Sequence, residues 1–346
     1  MSSKDDLVPI EYKYAWTPDS ELTLPDFLKK CKPSMVQNTD GTKPWIWVKK
    51  GAPSRKDEGE QEALEEGGAL LDEVTARVEE IKNDPSIPAR SSKKTGAKGK
   101  KEVREQVQSE ATDKLREIAI KHGFVTGKWL SFAAADKVDA IWGSIASSLV
   151  SGPLAETCAF LAKVATSPAD GNSSTQHLIC VYMPDVYDKP AVTEVMKVLL
   201  RSHGVNLSGV KSDMYTLLGI DSKHPSGIPS TTWKNATILP ESEIKALREA
   251  YFENLSATKD EAKVTADQPA ADKSAEVAKA KAKPQLKKKQ ADDDPFASED
   301  EEDEEEAQRK AELKSKKAPP PKKRAKDESD EDDEEDGRPK KKTAKK

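Results

Sequence analysis

Histidine and cysteine side chains most often bind metals or act as bases and nucleophiles, and this chain has four histidines and three cysteines. No histidine stands in a metal-binding spacing, and no C-x-x-C pair occurs. His177 and Cys180 lie three residues apart on a predicted strand and therefore point to opposite faces. A spatial pair of Cys158 and His203 stays open, although a buried cysteine usually belongs to the core.

Sequence motifs of the common nucleotide-binding and hydrolase sites are missing as well. The chain has no P-loop, no Rossmann glycine fingerprint and no Gly-x-Ser-x-Gly motif. We therefore expect a protein that is not an enzyme, with no catalytic residues, no cofactor and no metal.

Strands and helices alternate along the part of the chain that must position any binding residues. Apolar runs bounded by turn residues predict strands at 45–48, 127–132, 177–183 and 214–220, with 237–239 as a further candidate. Apolar residues three and four apart predict helices at 58–82, 103–118, 136–150, 189–203 and from 240 onward. Residues 158–165 fit either type of element. The sequence predicts a mixed α+β domain over residues 1–258, with a flexible basic loop at 85–101.

Charge separates this domain from the rest of the chain. Of the 346 residues, 34% are charged, and residues 259–346 contain 24 Lys/Arg and 26 Asp/Glu. All six tryptophans precede residue 259. Such a segment lacks the apolar side chains for a core, so we predict a disordered polyampholyte tail at 259–346. No apolar run approaches the ~20 residues of a spanning helix, which predicts no membrane partner. Few cysteines and the absence of a signal-peptide pattern predict an intracellular protein.

Several segments resemble one eukaryotic family, named after the basophilic leukaemia-expressed protein. The resemblance rests on residues 115–122, 126–130, 138–142, 162–164, 179–182 and 211–220, and more loosely on 45–48. It covers residues 10–240 apart from the basic loop and is silent on activity. It implies a fold similar to the cap-binding translation initiation factor 4E, in which helices back a curved antiparallel sheet.

The same resemblance raises the question of a cap site. Cap recognition needs two loop tryptophans that sandwich a methylated guanine, a glutamate on its edge and basic residues on the phosphates. Here Trp45 and Trp47 lie within a predicted strand, as does Trp129, and residues 50–127 contain no tryptophan. We therefore predict that these three residues and Trp142 pack in the core, and that the chain lacks a true cap site.

Four residues are candidates for binding a ligand. Lys163 lies near the place where the initiation factor keeps phosphate-binding arginines, and Lys128, Lys211 and Asp213 belong to the resembling family's own signature. The alternative for all of them is an ordinary solvated charge at a strand end. Our hypothesis is a surface that binds RNA or a nucleotide without methyl-guanine specificity.

The tail carries a second group of candidate sites. A basic cluster spaced by prolines predicts nuclear import through Lys322, Lys323, Arg324 and Lys326. Ser298 and Ser329 precede acidic runs, which predicts phosphorylation by an acid-directed kinase. An import receptor and such a kinase are the expected partners, and the expected location is the nucleus, with the cytoplasm left open. The alternative function is a ribosome- or chromatin-associated adaptor whose tail does the binding.

Overall fold

The computed structural model of the chain describes residues 12–51, 59–92, 95–168 and 176–266, with side chains described up to residue 256. They form the mixed α+β fold that the sequence predicts. Six strands build one open sheet in the order β1-β2-β4-β5-β3-β6. The strands are β1 (Ala15–Trp16), β2 (Trp45–Lys49), β3 (Gly127–Ala134), β4 (Leu161–Ala165), β5 (Gln176–Met183) and β6 (Leu207–Ser212).

All neighbouring strands are antiparallel except β1 and β2, which pair in parallel. The helices are α1 (Leu24–Lys30), α2 (Glu60–Asn83), α3 (Lys100–Lys121), α4 (Val138–Ser151), α5 (Lys189–His203), α6 (Asp213–Leu217), α7 (Asn235–Ile238) and α8 (Glu241–Ala266). Within the described ranges, no helix combines the length and apolar character needed to cross a bilayer.

One face of the sheet forms the main hydrophobic core with α4 and α5. Strand side chains alternate between the two faces, so every second residue of the central strands points toward these helices. The shared cluster is listed here by its largest buried members: Ile46, Val48, Trp129, Trp142, Ile145, Leu149, Val164, Ile179, Val181, Met196 and Leu199. Burial of Trp129 and Trp142 agrees with their predicted core role.

Helix α5 shows how the local sequence fixes this packing. Asp188 caps its first turn by accepting a hydrogen bond from the Ala191 amide. Apolar residues at helical spacing then face the sheet, and Gly204 ends the helix in the left-handed conformation, with φ 59°. Helix α8 packs on α5 beyond this turn, with the ring of Tyr251 against the Gly204 backbone.

A second core lies under the hairpin formed by α2 and α3. Apolar residues of both helices pack against side chains that follow β6. The helices and the turn after α3 contribute Leu71, Val74, Val78, Leu115, Ile118 and Phe124, and the chain after β6 contributes Met214, Tyr215, Ile220 and Ile228. Gly67 of α2 makes this approach close, because a Cβ there would lie 2.7 Å from the Met214 side chain. The hairpin therefore packs directly against α6.

Two predicted strands are wrong. Residues 214–220 form helix α6 and its C-terminal turn, because the Ser212 hydroxyl caps the helix by accepting from the Met214 amide. The strand lies just before it, in β6, whose Gly209 and two serines obscure the apolar pattern. Residues 237–239 belong to α7 and the residue after it, and the ambiguous 158–165 segment contains strand β4.

Two helices cross predicted boundaries. Helix α8 (Glu241–Ala266) continues past residue 258, and because the chain beyond Ala266 lies outside the described residues, the predicted tail stays a prediction. Helix α3 begins at Lys100, within the predicted basic loop. The predicted likeness to initiation factor 4E stays a prediction.

We expect Gly204→Ala to destabilise the fold by about 2–3 kcal/mol. A Cβ would overlap the Tyr251 ring, and alanine is strained in the left-handed backbone conformation that Gly204 adopts. The matched control is Gly143→Ala in α4, where a Cβ meets nothing within 4 Å. That change should leave stability equal or raise it by about 0.5–1 kcal/mol. Urea denaturation of both variants measures the difference, and equal effects would contradict the role of the Gly204 contact.

The burial of His203 should make the stability of the fold sensitive to acid. Burial lowers the pKa of this imidazole to about 4, and its Nδ1 lies 2.8 Å from the Ser144 hydroxyl. Between pH 6.5 and 4, the unfolded chain therefore binds a proton that the folded chain does not. The contribution of neutral His203 to the free energy of unfolding is complete above pH 6.5 and decreases toward pH 4. Between pH 7 and 4.5, wild type should lose about 2 kcal/mol more than His203→Gln in denaturant titrations. Parallel losses would show that His203 does not titrate in this way.

The lysine–tryptophan face of the sheet

The second face of the sheet, opposite α4 and α5, carries charged and aromatic side chains from five strands. We name it the lysine–tryptophan face and define it by Trp45, Trp47, Lys128, Lys163, Tyr182 and Lys211. Strand register brings these residues together: Trp47 lies opposite Lys163, and Lys128 lies opposite both Tyr182 and Lys211. A small apolar cluster between them contains Trp47, Leu130, Leu161, Cys180 and Tyr182.

Lys163 is surrounded by aromatic rings. Its ammonium lies 4.2 Å from the ring centroid of Trp45, 4.7 Å from that of Trp47 and 5.5 Å from that of Tyr182. The residue is only 2% exposed. A desolvated cation over a tryptophan ring is stabilised by about 2 kcal/mol, so three rings offset part of the cost of burying this charge.

Lys128 and Asp213 form a buried ion pair beside this cluster. The Lys128 ammonium lies 2.9 Å from the Asp213 carboxylate, and the two side chains are 5% and 14% exposed. The contact lacks the alignment of a hydrogen bond at that oxygen. The same ammonium lies 5.1 Å from the Tyr182 ring centroid. Asp213 opens helix α6 directly after β6, and this position places its carboxylate beside β3.

Lysines make up half of the residues that define this face. Lys128 and Lys211 stand directly opposite each other on β3 and β6, where like charges repel. The Asp213 carboxylate lies beside one of these lysines, Lys128. Lys211 and Trp45 are half-buried, whereas Lys128, Lys163, Trp47 and Tyr182 are buried. Lysines next to aromatic rings can hold an anionic group and stack a flat ring, which is the chemistry of a nucleotide.

The structure brings all four predicted site residues to one side of the sheet. Lys128, Lys211 and Asp213 form one group, and Lys163 lies two strands away with Tyr182 between them. Sequence reasoning missed Tyr182, which lies inside an apolar run, and treated Trp45 as core although it is half-buried. The available signal was the alternation of side chains between the two sheet faces along β2 and β5, which could have identified both residues. The import residues 322–326 and both phosphorylation candidates lie outside the described residues.

Other chemically active side chains have local structural partners. His177 Nδ1 lies 2.8 Å from the Ala165 carbonyl oxygen, and His122 Nε2 lies 2.6 Å from Glu66. Burial raises the pKa of the Cys31 and Cys158 thiols. Among the residues that the structure describes, no three His, Cys, Asp or Glu side chains gather closely enough to hold a metal ion.

A family model described as basophilic leukemia-expressed protein Bles03 matches residues 5–219. The match covers more than half of the chain, and the chain belongs to this family. The predicted resemblance is therefore confirmed. The matched segment includes all six strands and all six residues of the lysine–tryptophan face, and it ends before α7 and α8.

The Lys128–Asp213 pair gives a stability prediction. Asp213→Asn removes the carboxylate beside a buried ammonium and should cost about 3 kcal/mol, as breaking buried ion pairs does. Adding Lys128→Met should restore part of that loss, because an unbranched apolar chain can still pack on Tyr182. Chemical denaturation of the two single variants and the double variant measures this coupling.

The control is the exposed pair of Lys245 and Glu249, whose side chains are 74% and 61% exposed. Its removal should change stability by no more than about 0.5 kcal/mol. A coupling for Lys128 and Asp213 as small as that of the control would show that their burial does not matter.

Proposed function

We propose that this member of the basophilic leukemia-expressed protein family is a non-catalytic binding module that holds RNA or a nucleotide on its lysine–tryptophan face. The observation that carries the proposal is the joint placement of Lys163, Lys128 and Lys211 with Trp45, Trp47 and Tyr182 on one side of the sheet. Phosphates bind lysines, and bases stack on aromatic rings with about 1–3 kcal/mol per base.

The half-buried members define how a ligand would reach this face. Trp45 and Lys211 lie on β2 and β6, toward opposite ends of the strand order, and both are partly open to solvent. Trp45 would stack a base and Lys211 would contact a phosphate. Lys163 and Lys128 would act mainly through their charge, since both are nearly enclosed.

We further propose a fold related to that of initiation factor 4E without its methyl-guanine specificity. A methylated base is a cation that needs two free aromatic faces. Here the rings of Trp45 and Trp47 already contact the chain's own cation, the Lys163 ammonium. A cationic base would compete with that charge, whereas an uncharged base on the outer side of Trp45 would not.

The alternative is an adaptor whose tail does the binding, in the nucleus and with ribosomes or chromatin. It is favoured by the alternating charge blocks of residues 259–346. Nuclear import through Lys322, Lys323, Arg324 and Lys326, and phosphorylation at Ser298 and Ser329, would belong to this part of the chain.

Binding of a fluorescent tetranucleotide to the full chain tests the proposal. Trp45→Leu and Lys211→Gln should each weaken binding about tenfold, because each removes one stacking or phosphate contact. Phe252→Leu on α8 and Lys197→Gln on α5 are the matched controls away from the face, and both should bind as wild type does. A resin that carries the methylated cap base should retain the protein no more strongly than a resin that carries GTP.

Three outcomes would contradict the proposal. The first is equal binding by the face variants and their controls. The second is tight retention that is specific for the methylated base. The third is complete loss of binding after removal of residues 267–346, with the domain still folded by circular dichroism, since the tail would then supply the affinity. The same truncation, followed by fluorescence microscopy, tests the nuclear location.

A further inference from the structure

Strand register aligns five side chains in one row across the sheet, on the side of the lysine–tryptophan face. The row takes one residue from each of five strands, in the order Lys49, Leu161, Tyr182, Lys128 and Lys211. Each residue is the direct partner of the next, and the irregularity in the β3–β6 pairing begins only after Leu130. We call these five residues the lysine row. Its first member, Lys49, is not among the residues that define the lysine–tryptophan face.

Lys49 points to the same side of the sheet as the two tryptophans of β2. Side chains alternate along a strand, and Trp45 and Trp47 lie four and two residues before Lys49. The direct partner of Lys49 on β4, Leu161, packs in the small apolar cluster of that side. Lys49 itself is half-buried. The lysine row therefore adds a cation to the proposed ligand-binding surface.

The Lys49 ammonium is available to a ligand. Within the described ranges, it takes part in no ion pair, hydrogen bond or ring contact. The adjacent Lys50 gives a contrast, because its ammonium donates to the carbonyl oxygens of Ala155 and Ala159 in the segment before β4. A half-buried ammonium without a partner has lost part of its hydration. A phosphate bound to Lys49 would replace that hydration and neutralise the charge.

The geometry of the sheet sets the distance between the two ends of the lysine row. Lys49 and Lys211 are four strand spacings apart, which is roughly 19 Å. Trp45 lies about 13 Å from Lys49 along β2, and therefore roughly 23 Å from Lys211. The members between the two ends are buried: Leu161, Tyr182 and Lys128. Phosphates of a stacked strand follow one another at about 3.4 Å along its axis, so one nucleotide is too short to contact both ends.

We infer that the ligand of the lysine–tryptophan face is a single-stranded oligonucleotide that crosses the sheet along the lysine row, with one phosphate on Lys49 and another on Lys211. This inference rests on the proposed function and sharpens it, because it excludes a free nucleotide and adds Lys49 as a contact. A base of the same strand stacks on Trp45. Phosphate contacts carry no sequence information, so the two ends of the row select for strand length rather than for base sequence.

Binding of fluorescent uridylate dinucleotides and octanucleotides to the full chain tests this inference. Wild type should bind the octanucleotide about tenfold more tightly at about 100 mM salt, beyond the statistical gain from its additional registers, because only the longer strand reaches both ends of the row. Lys49→Gln and Lys211→Gln should each remove most of this length gain. The salt dependence of octanucleotide binding should become shallower by about 0.7 in each variant, for one lost phosphate contact on a single strand.

Two further variants serve as controls. Lys49→Arg keeps a cation at the same position and should retain the length gain, which separates the loss of charge from a disturbance of β2. Lys197→Gln on α5 removes one charge away from this side of the sheet and should change neither the length gain nor the salt slope. Residues 259–346 are present in every variant, so their contribution cancels from the comparison. Circular dichroism checks that each variant is folded.

The outcomes separate this inference from the proposed function. A length gain that persists in Lys49→Gln, or that disappears equally in Lys197→Gln, overturns the inference. Binding of uridine triphosphate as tight as that of the octanucleotide also overturns it and assigns the face to a free nucleotide. In both cases the proposed function stands when Trp45→Leu still weakens tetranucleotide binding. When neither Trp45→Leu nor Lys211→Gln weakens it, the proposed function fails and the inference fails with it.

Discussion

Two ammonium groups, those of Lys128 and Lys163, are held almost out of water on one side of a sheet whose other side is the hydrophobic core. An isolated buried charge is costly, so the surroundings must supply compensation. Lys128 has the Asp213 carboxylate at 2.9 Å, and Lys163 has aromatic rings within 5.5 Å. The sheet register places these partners on the same face as the lysines. A shift of one residue in the strand register would turn their side chains toward the core.

Helix α6 links this requirement to the rest of the molecule. Its first residue, Asp213, pairs with Lys128 on the sheet, and its second, Met214, packs against Gly67 of the hairpin. Five residues thus join the lysine–tryptophan face to the second core. Any shift of α6 would disturb both the ion pair and the base of the hairpin. The position of this short helix therefore matters both to the lysine–tryptophan face and to the second core.

Much of the fold could be predicted because its elements carry strong local patterns. The run in β5 and the apolar stripe of α5 depend only on neighbouring residues, and both were identified correctly. Strand β6 could not be found in this way, because Gly209 and the serines give it little apolar character. Its pairing with β3 joins Lys128 to Asp213 across 85 positions of sequence, which no local pattern reveals. The candidate site was therefore predicted as single residues, without the aromatic rings that surround them.

The distribution of charge limits where the proposed polyanionic ligand could bind the domain. Residues 1–258 are acidic as a whole, so a polyanion is repelled from most of the domain and attracted where lysines are concentrated. The lysine–tryptophan face alone offers few phosphate contacts, since Lys163 is enclosed by rings and Lys128 faces Asp213. The half-buried pair of Trp45 and Lys211 would therefore carry most of the proposed binding, Trp45 through a base and Lys211 through a phosphate.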